Sequence, residues 1–503
     1  MKPSRISATA RVLTLAILSA LVLNSCGGSE TTADTTASGG ASDTTAPVET
    51  GETLELPEKD WEGRQFRVLG YEHASRTQFN NFEIDSEGEN GDVVNDAIFR
   101  RNTTIEDKYN VEIVQILDSS DSNHENATMA HIRTTVLAGE DLYDLAFAST
   151  SRIGTLAREG LFYDLNSVDY MDFNKSWWNK DVNDTLEISG RLFFTNSDFS
   201  LRDKSRSYIM LFNKELVSQY ELGDPFQLVR DGKWTLDVMT EWCKAVGNDV
   251  NGNGEIDFED TFGIGFDSYN AFRTLSFGAG MEILKNDGDA PALVMNSERT
   301  IDIIDKLFNI LTPNDYVGTT CELWNGKVTF DYWSTAGMLF AEGRQLFVAS
   351  FPATLKTYSA QCVDDYGVVP FAKFDEEQEK YYTFADSMSM LFGIPASTPD
   401  PDFSGFMLEA LSYESQTTSL PAYYEISCKT KYTYDEDSAE MMDIIFDGIV
   451  FDLTVVYGIS GVNNLLYEIA KGGTNDFASR YASVEAAAKT DLTKLIKDIE
   501  SID

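Results

Sequence analysis

Polar and apolar residues alternate at Gln65-Phe66-Arg67-Val68, the period of two that turns one face of an extended strand inward. The period then changes. Val94, Ile98, Ile105 and Tyr109 recur at near-helical spacing, and Val111-Glu112-Ile113-Val114 alternates again. The stretch from His131 to Leu137 is helical, and Tyr143-Asp144-Leu145-Ala146-Phe147 alternates. This β-α-β-α-β order predicts a largely parallel sheet covered by helices. Strand-like segments at 192–194 and 208–212 and helical ones at 236–246 and 301–311 continue the mixture, so the class is α/β throughout. Near the end, Val484, Leu492, Leu495, Ile496 and Ile499 share one helical face.

The N-terminal end reads differently. Lys2, Arg5 and Arg11 flank or precede an apolar run, Val12 to Leu23, shorter than the roughly 20 residues a membrane helix needs, so residues 1–25 read as an export signal. Leu23-Asn24-Ser25-Cys26-Gly27 is similar to the bacterial lipoprotein box, which implies lipidation at Cys26 and anchorage to the outer face of the cell membrane. Residues 26–54, rich in Thr, Ser, Gly and Ala, read as a flexible tether.

Composition narrows the class. With 503 residues, 42% of them apolar, the chain has material for two or more domains. A net charge of −43 argues against nucleic acid as a partner, because it repels phosphate and no basic stripe interrupts it. Beyond Cys26, the cysteines are Cys243, Cys321, Cys362 and Cys428, without a CxxC pair, so no zinc or dithiol redox motif is expected. Two disulfides or scattered buried thiols both fit an exported chain.

One local motif is sharp. Asp249-Val250-Asn251-Gly252-Asn253-Gly254-Glu255-Ile256-Asp257-Phe258-Glu259-Asp260 follows the spacing of a twelve-residue calcium loop, with a glycine at the turn and an apolar eighth position. It predicts a structural Ca2+ held by the side chains of Asp249, Asn251, Asn253 and Asp260, the carbonyl of Glu255, and Asp257 directly or through water. Asp at position 12 and neutral residues at 3 and 5 predict weak binding, roughly 0.1–1 mM.

Several motifs in order resemble the family 1, maltose-binding-like extracellular solute-binding proteins of bacterial ABC importers. They are the lipoprotein box and tether, Leu137-Ala138-Gly139-Glu140-Asp141-Leu142-Tyr143-Asp144-Leu145 leading to Glu159-Gly160-Leu161-Phe162-Tyr163-Asp164-Leu165, and Ile209-Met210-Leu211-Phe212-Asn213-Lys214-Glu215-Leu216. Trp234-Thr235, the calcium-like loop ending in Phe262-Gly263-Ile264, Gly343-Arg344-Gln345-Leu346-Phe347, and Tyr366-Gly367-Val368-Val369-Pro370 complete the set. The resemblance implies a two-lobed periplasmic-binding-protein-like α/β fold with a ligand cleft between the lobes. The first lobe would take residues 55–165 and 371–418, and the second 166–370 and 419–503, with the C-terminal helix packed on the second. It also implies a monomer that binds a carbohydrate, works with ABC permease and ATPase subunits, and performs no catalysis.

By that resemblance Ser149, Thr150, Ser151, Arg152, Asp267, Tyr269, Ser350 and Phe351 follow strands whose ends contact ligand. Ala148 and Phe351 stand where the maltose-binding pattern places tryptophans, which points away from maltodextrin. Sugar recognition needs flat aromatic faces and planar polar groups. Tyr71, Trp177, Trp178 and Trp333 are further candidates for the first, and Asp198 and Asp386 for the second. Two other classes are open to this sequence: a surface glycoside hydrolase, which also uses carboxylates in an aromatic cleft, and a calcium-dependent adhesion or scaffold protein. No HExxH, GxSxG, P-loop or dinucleotide fingerprint supports specific chemistry.

Overall fold

Phe66 and Val68 turn inward from β1 (Arg64–Glu72), and the helical period after it forms α1 (Val93–Tyr109). Asp92 caps the first amides of α1, and Asn110 ends it in the left-handed region at φ 48°. The computed structural model describes residues 52–72, 80–119, 124–286, 290–311, 316–330, 334–424 and 435–502. The export signal, Cys26, nearly all of the tether, Trp333 and Cys428 lie outside them.

β2 (Val111–Ser119) pairs parallel to β1, with Phe66 opposite Ile113. α2 (His124–Leu137) leads to β3 (Leu145–Ser149), also parallel to β1. Arg67 fastens this arrangement: its guanidinium bonds Asp144 at 2.8 and 2.9 Å, drawing the approach to β3 onto β1. After α3 (Ile153–Arg158) and α4 (Lys180–Leu186), Leu192–Phe194 are buried but form no regular strand. A short apolar run marks burial, and its periodicity alone does not separate a strand from packed coil. Pairing around it is limited to isolated bridges, Ile188 with Arg191, Thr195 with Phe392 and Ser197 with Trp178.

The second sheet begins with β4 (Ile209–Asn213). α5 (Leu236–Val246), capped by Thr235, leads to β5 (Phe262–Phe266) and α6 (Ser268–Gly278), and α7 (Glu298–Leu311) precedes β6 (Gly318–Thr320). β7 (Gln345–Ser350) and β8 (Tyr366–Val369) complete the order β8-β4-β7-β5-β6. β4 and β5 are buried at every position, as the unbroken apolar run of a doubly covered strand requires. The chain then runs through β9 (Thr383–Phe384) to β10 (Met390–Gly393), which lies antiparallel on β3 and makes the first sheet β10-β3-β1-β2. α8 (Pro401–Thr417) covers α1. α9 (Glu436–Asp447) packs on β8, and β11 (Ile449–Val450) pairs with β9. α10 (Leu453–Val456), α11 (Leu465–Gly472) and α12 (Phe477–Glu500) finish the chain.

Two α/β lobes result. Residues 161–200 pack with the first sheet, through the Phe162–Pro395 bridge and the Trp178 indole on Glu409. Residues 371–382 pack with the second, through Leu236 N on the Lys373 carbonyl and Gln378 Nε2 on the Gly278 carbonyl. The chain therefore passes between lobes at 200–208 and 383–390, later than the expected divisions after 165 and 370. α12 touches α11 and the Ala292–Leu293 strand, but also α3 of the first lobe, where Arg158 pairs with Asp491 and Asp498. Cys243 and Cys362 are free thiols, so the pattern of two disulfides is not formed. Burial raises the pKa of both, that of Cys362 to about 12. Among the described residues no helix is long and apolar enough to cross a membrane.

Candidate ligand-binding cleft

The carboxyl ends of β3, β5 and β7 and the amino ends of β4 and β10 converge between the two sheets, the place where open α/β sheets hold ligands. From the first lobe, Ser149 Oγ and Thr150 Oγ1 donate to the Ser387 carbonyl at 2.5 and 2.9 Å, and Thr150 N donates to the Ser389 carbonyl at 2.8 Å. Ser151 N reaches Ser149 Oγ at 3.2 Å. Arg152 is exposed, takes a left-handed backbone at φ 67°, and begins α3. The four residues thus form one edge, tied to the crossing segment 386–389 by the backbone amides of Thr150 and Ser151 and the Ser149 hydroxyl.

The second-lobe side is built around Tyr208, just before β4. Its ring lies 4.3 Å from Phe351 and stacks on Phe384 at 6.2 Å, and its hydroxyl faces Asp386 at 3.5 Å. Asp386 is 2% exposed and is held by Met388 N at 2.9 Å and by Arg206 at 3.5 Å. The Arg206 guanidinium also lies over Phe351, 4.2 Å from the ring centre. Ser350, at the end of β7, bonds Thr354 at 2.6 Å and supports the same corner. Asp267 caps α6 through Asn270 N at 3.0 Å. Burial pushes its pKa up to about 6, and the charge of Asp386 pushes the same way. Burial, Asp267 and Asp386 together hold the Tyr208 phenol well above its ordinary pKa, so it is a neutral donor.

Two residues on or next to the crossing segments carry buried polar atoms without partners. Asn196 is 1% exposed, and neither atom of its amide has a hydrogen-bond partner; the same holds for Ser389 Oγ. Such groups are a small minority in folded proteins and call for water or a ligand.

The remaining candidates sit elsewhere. Trp177 and Trp178 are 1% and 3% exposed, inside the first-lobe core. Trp177 packs edge-on against Tyr413, and Trp178 packs on Phe173 with its indole N–H on Glu409 at 2.9 Å. Neither offers a face to the cleft, because a large ring next to α8 completes the apolar core there. Asp198 turns toward α8 as well, bonded by Gln416 at 3.0 Å, and burial raises its pKa to about 6. Tyr71 is buried in β1. The Tyr269 side chain, like Trp333, lies outside the described residues. The sequence pattern does not mark Arg206, Tyr208 and Phe384. The available signal was Arg202 and Arg206, one helical turn apart immediately before the apolar run of β4, since charge at the mouth of a buried strand needs a partner.

The loop at 249–260 takes the turn its glycines imply, with Gly252 and Gly254 at φ 70° and 77°. Asp249 accepts from Gly252 N and Gly254 N at 2.7 and 2.8 Å, Asp260 from Val250 N and Asp257 N at 3.2 and 2.9 Å. The amides of Asn251 and Asn253 both reach one oxygen of Asp257, at 2.9 and 2.6 Å, so three of the expected ligands meet at one point. Among the described residues no three acidic, histidine or cysteine side chains are gathered as a metal cluster. Amide and main-chain oxygens would have to supply much of the coordination.

The chain matches no protein-family model and no curated protein. Solved structures do share its fold. M. tuberculosis UspC is 13% identical with a TM-score of 0.54, over 85% of this chain and 100% of its own. The galacto-N-biose/lacto-N-biose I-binding protein of the ABC transporter from Bifidobacterium longum, solved with lacto-N-biose, is 11% identical with a TM-score of 0.54, over 87% and 98%. The extracellular solute-binding protein from Staphylococcus aureus, solved with maltose, is 13% identical with a TM-score of 0.54, over 86% and 98%. Over 85–87% of its length the chain therefore has the two-lobed fold of these proteins, as the sequence resemblance implied.

Proposed function

We propose that this protein is an exported, lipid-anchored solute receptor that captures a carbohydrate, an oligosaccharide in particular, for an ABC importer. The observation that carries the reading is the cleft itself: the half-buried Phe351 ring and Asp267, backed by the buried Tyr208, Phe384, Asp386 and Arg206, face the Ser149–Arg152 edge of the first lobe. Rings supply contact for the C–H faces of a sugar, and planar charged groups bond vicinal hydroxyls. Solved proteins of the same fold carry lacto-N-biose and maltose, which supports the same ligand class here. The permease and ATPase, the monomeric state and the Cys26 anchor belong to the same reading. Isothermal titration calorimetry of the mature protein against a panel of neutral oligosaccharides tests it, with reducing-sugar release followed in the same samples. Binding without turnover is expected, and turnover would instead favour the glycoside hydrolase.

The 249–260 loop is proposed to hold a structural Ca2+, with Asp249, Asn251, Asn253, Asp257 and Asp260 supplying side-chain oxygens and Glu255 its carbonyl. The ion would neutralise carboxylates that now rely on loop amides. Equilibrium dialysis at millimolar calcium tests this, and absence of uptake would remove it.

A further inference from the structure

We infer that the C-terminal segment 453–502 is a strap joining the two lobes, and that Arg158 is its latch. Starting from the second lobe, α10 reaches the first: Val455 O accepts from Arg152 N at 3.0 Å, and Tyr457 donates to the Leu186 carbonyl at 2.9 Å. The Tyr457 ring sits directly on Gly154, where a Cβ would fall 2.3 Å from it, so only glycine allows the approach. The strap then turns back. α11 packs Leu465, Leu466 and Ile469 on α6 of the second lobe, and Arg273 of α6 donates to the Asn463 carbonyl. α12 returns to the first lobe a second time. Arg158 holds Asp498 at 2.9 and 3.0 Å and Asp491 at 3.2 Å, and Arg191 reaches the Ile502 carbonyl at 2.5 Å.

Opening of the cleft by hinge motion must therefore break one set of strap contacts or the other. The second-lobe set is apolar and continuous with the core. On the first lobe, Arg158 makes a three-bond, charge-assisted contact with its side chain 14% exposed, which is stronger than an exposed ion pair yet exchangeable for water. Its position matters because α3 follows Ser149–Arg152 directly, so the latch fixes the helix that carries one cleft edge. Loss of the latch shifts the lobes toward opening and lowers the fraction able to bind.

This rests on the capture reading only where affinity is measured. Dipolar electron paramagnetic resonance on the mature protein, with spin labels at Asp107→Cys in α1 and Asp302→Cys in α7 and Cys362→Ser removed from labelling, reads the lobe separation without ligand. Arg158→Ala and the double variant Asp491→Asn/Asp498→Asn are both expected to lengthen and broaden the distance distribution, with Arg158→Lys intermediate. The reversed pair Arg158→Asp/Asp498→Arg is expected to recover the original distance in part. For whichever oligosaccharide calorimetry shows to bind, Arg158→Ala should weaken affinity about 3- to 10-fold through the lower competent fraction. Distances unchanged in variants whose melting temperature falls would overturn the latch and leave Arg158 a local staple. If the wild type binds no glycan, the capture reading fails and the distances alone decide the latch.

Discussion

Asp257 and Asp267 lie on one short stretch of chain, yet their surroundings act on them in opposite directions. Asp257 is half-buried in the 249–260 loop, and bonds from Asn251, Glu259 N and Asn253 hold its pKa below the ordinary value. Asp267 is also half-buried, but at the cleft, where desolvation and Asp386 raise it to about 6. The first is a carboxylate already satisfied by its neighbours and ready for a cation in place of amide hydrogens. The second caps α6 with its charged form disfavoured, and it does so in a cleft between lobes, where binding chemistry concentrates. Residue type is therefore shared, and the assignment to structural loop or ligand site follows from solvent and partners.

Removing charge from the cleft should produce the largest effect. Asp386→Ala leaves Arg206 buried beside an empty space, and is expected to destabilise by about 3–5 kcal/mol in urea unfolding while abolishing ligand capture. A loss similar to an exposed carboxylate's would contradict the buried pairing. Trp178→Ala should cost a comparable amount, about 3–5 kcal/mol, but leave the affinity of the folded protein unchanged, because the ring serves the core and not the cleft. A selective loss of affinity would restore it as a sugar platform.

Acidity separates the two regions next. Asp198 and Asp267 at about 6 and Glu409 at about 7 are all raised by burial. The native state binds more protons than the unfolded one across that range, so their contribution to stability is complete below the ordinary carboxylate pKa and is lost as pH rises through 6 to 7. Thermal melts from pH 7.5 to 5.5 should hold steady or rise, while ligand affinity should fall as Asp267 takes up a proton and loses acceptor capacity. The smallest effect belongs to the loop. Calcium at ten times its dissociation constant should add about 1.4 kcal/mol, and Asp260→Asn should remove that response without altering affinity for ligand.

The same contrast explains what could be read in the sequence. The loop is a local pattern, so Asp249 to Asp260 and the turn at Gly254 were legible as spacing, and the periodicities of β1, α1, β2 and α5 located those elements directly. The edge at Ser149–Arg152 and the corner at Ser350–Phe351 came from motif order. The cleft as a whole is assembled from segments near residues 149, 206, 267, 350 and 386, and no spacing in the chain records that Tyr208 meets Phe351. Tryptophan content misled for a physical reason: Trp177 and Trp178 have the faces a sugar needs, and the same faces fill a core equally well. Leu192–Phe194 looked like a strand because burial, not pairing, set their apolar run.

The central claim is capture of a carbohydrate between the lobes, and calorimetric titration of the mature protein with a panel of oligosaccharides tests it most directly, comparing wild type with Phe351→Ala. The account predicts saturable binding of at least one oligosaccharide without release of reducing sugar, weakened in the variant. Absence of heat across the panel, or binding that Phe351→Ala leaves untouched, would contradict it.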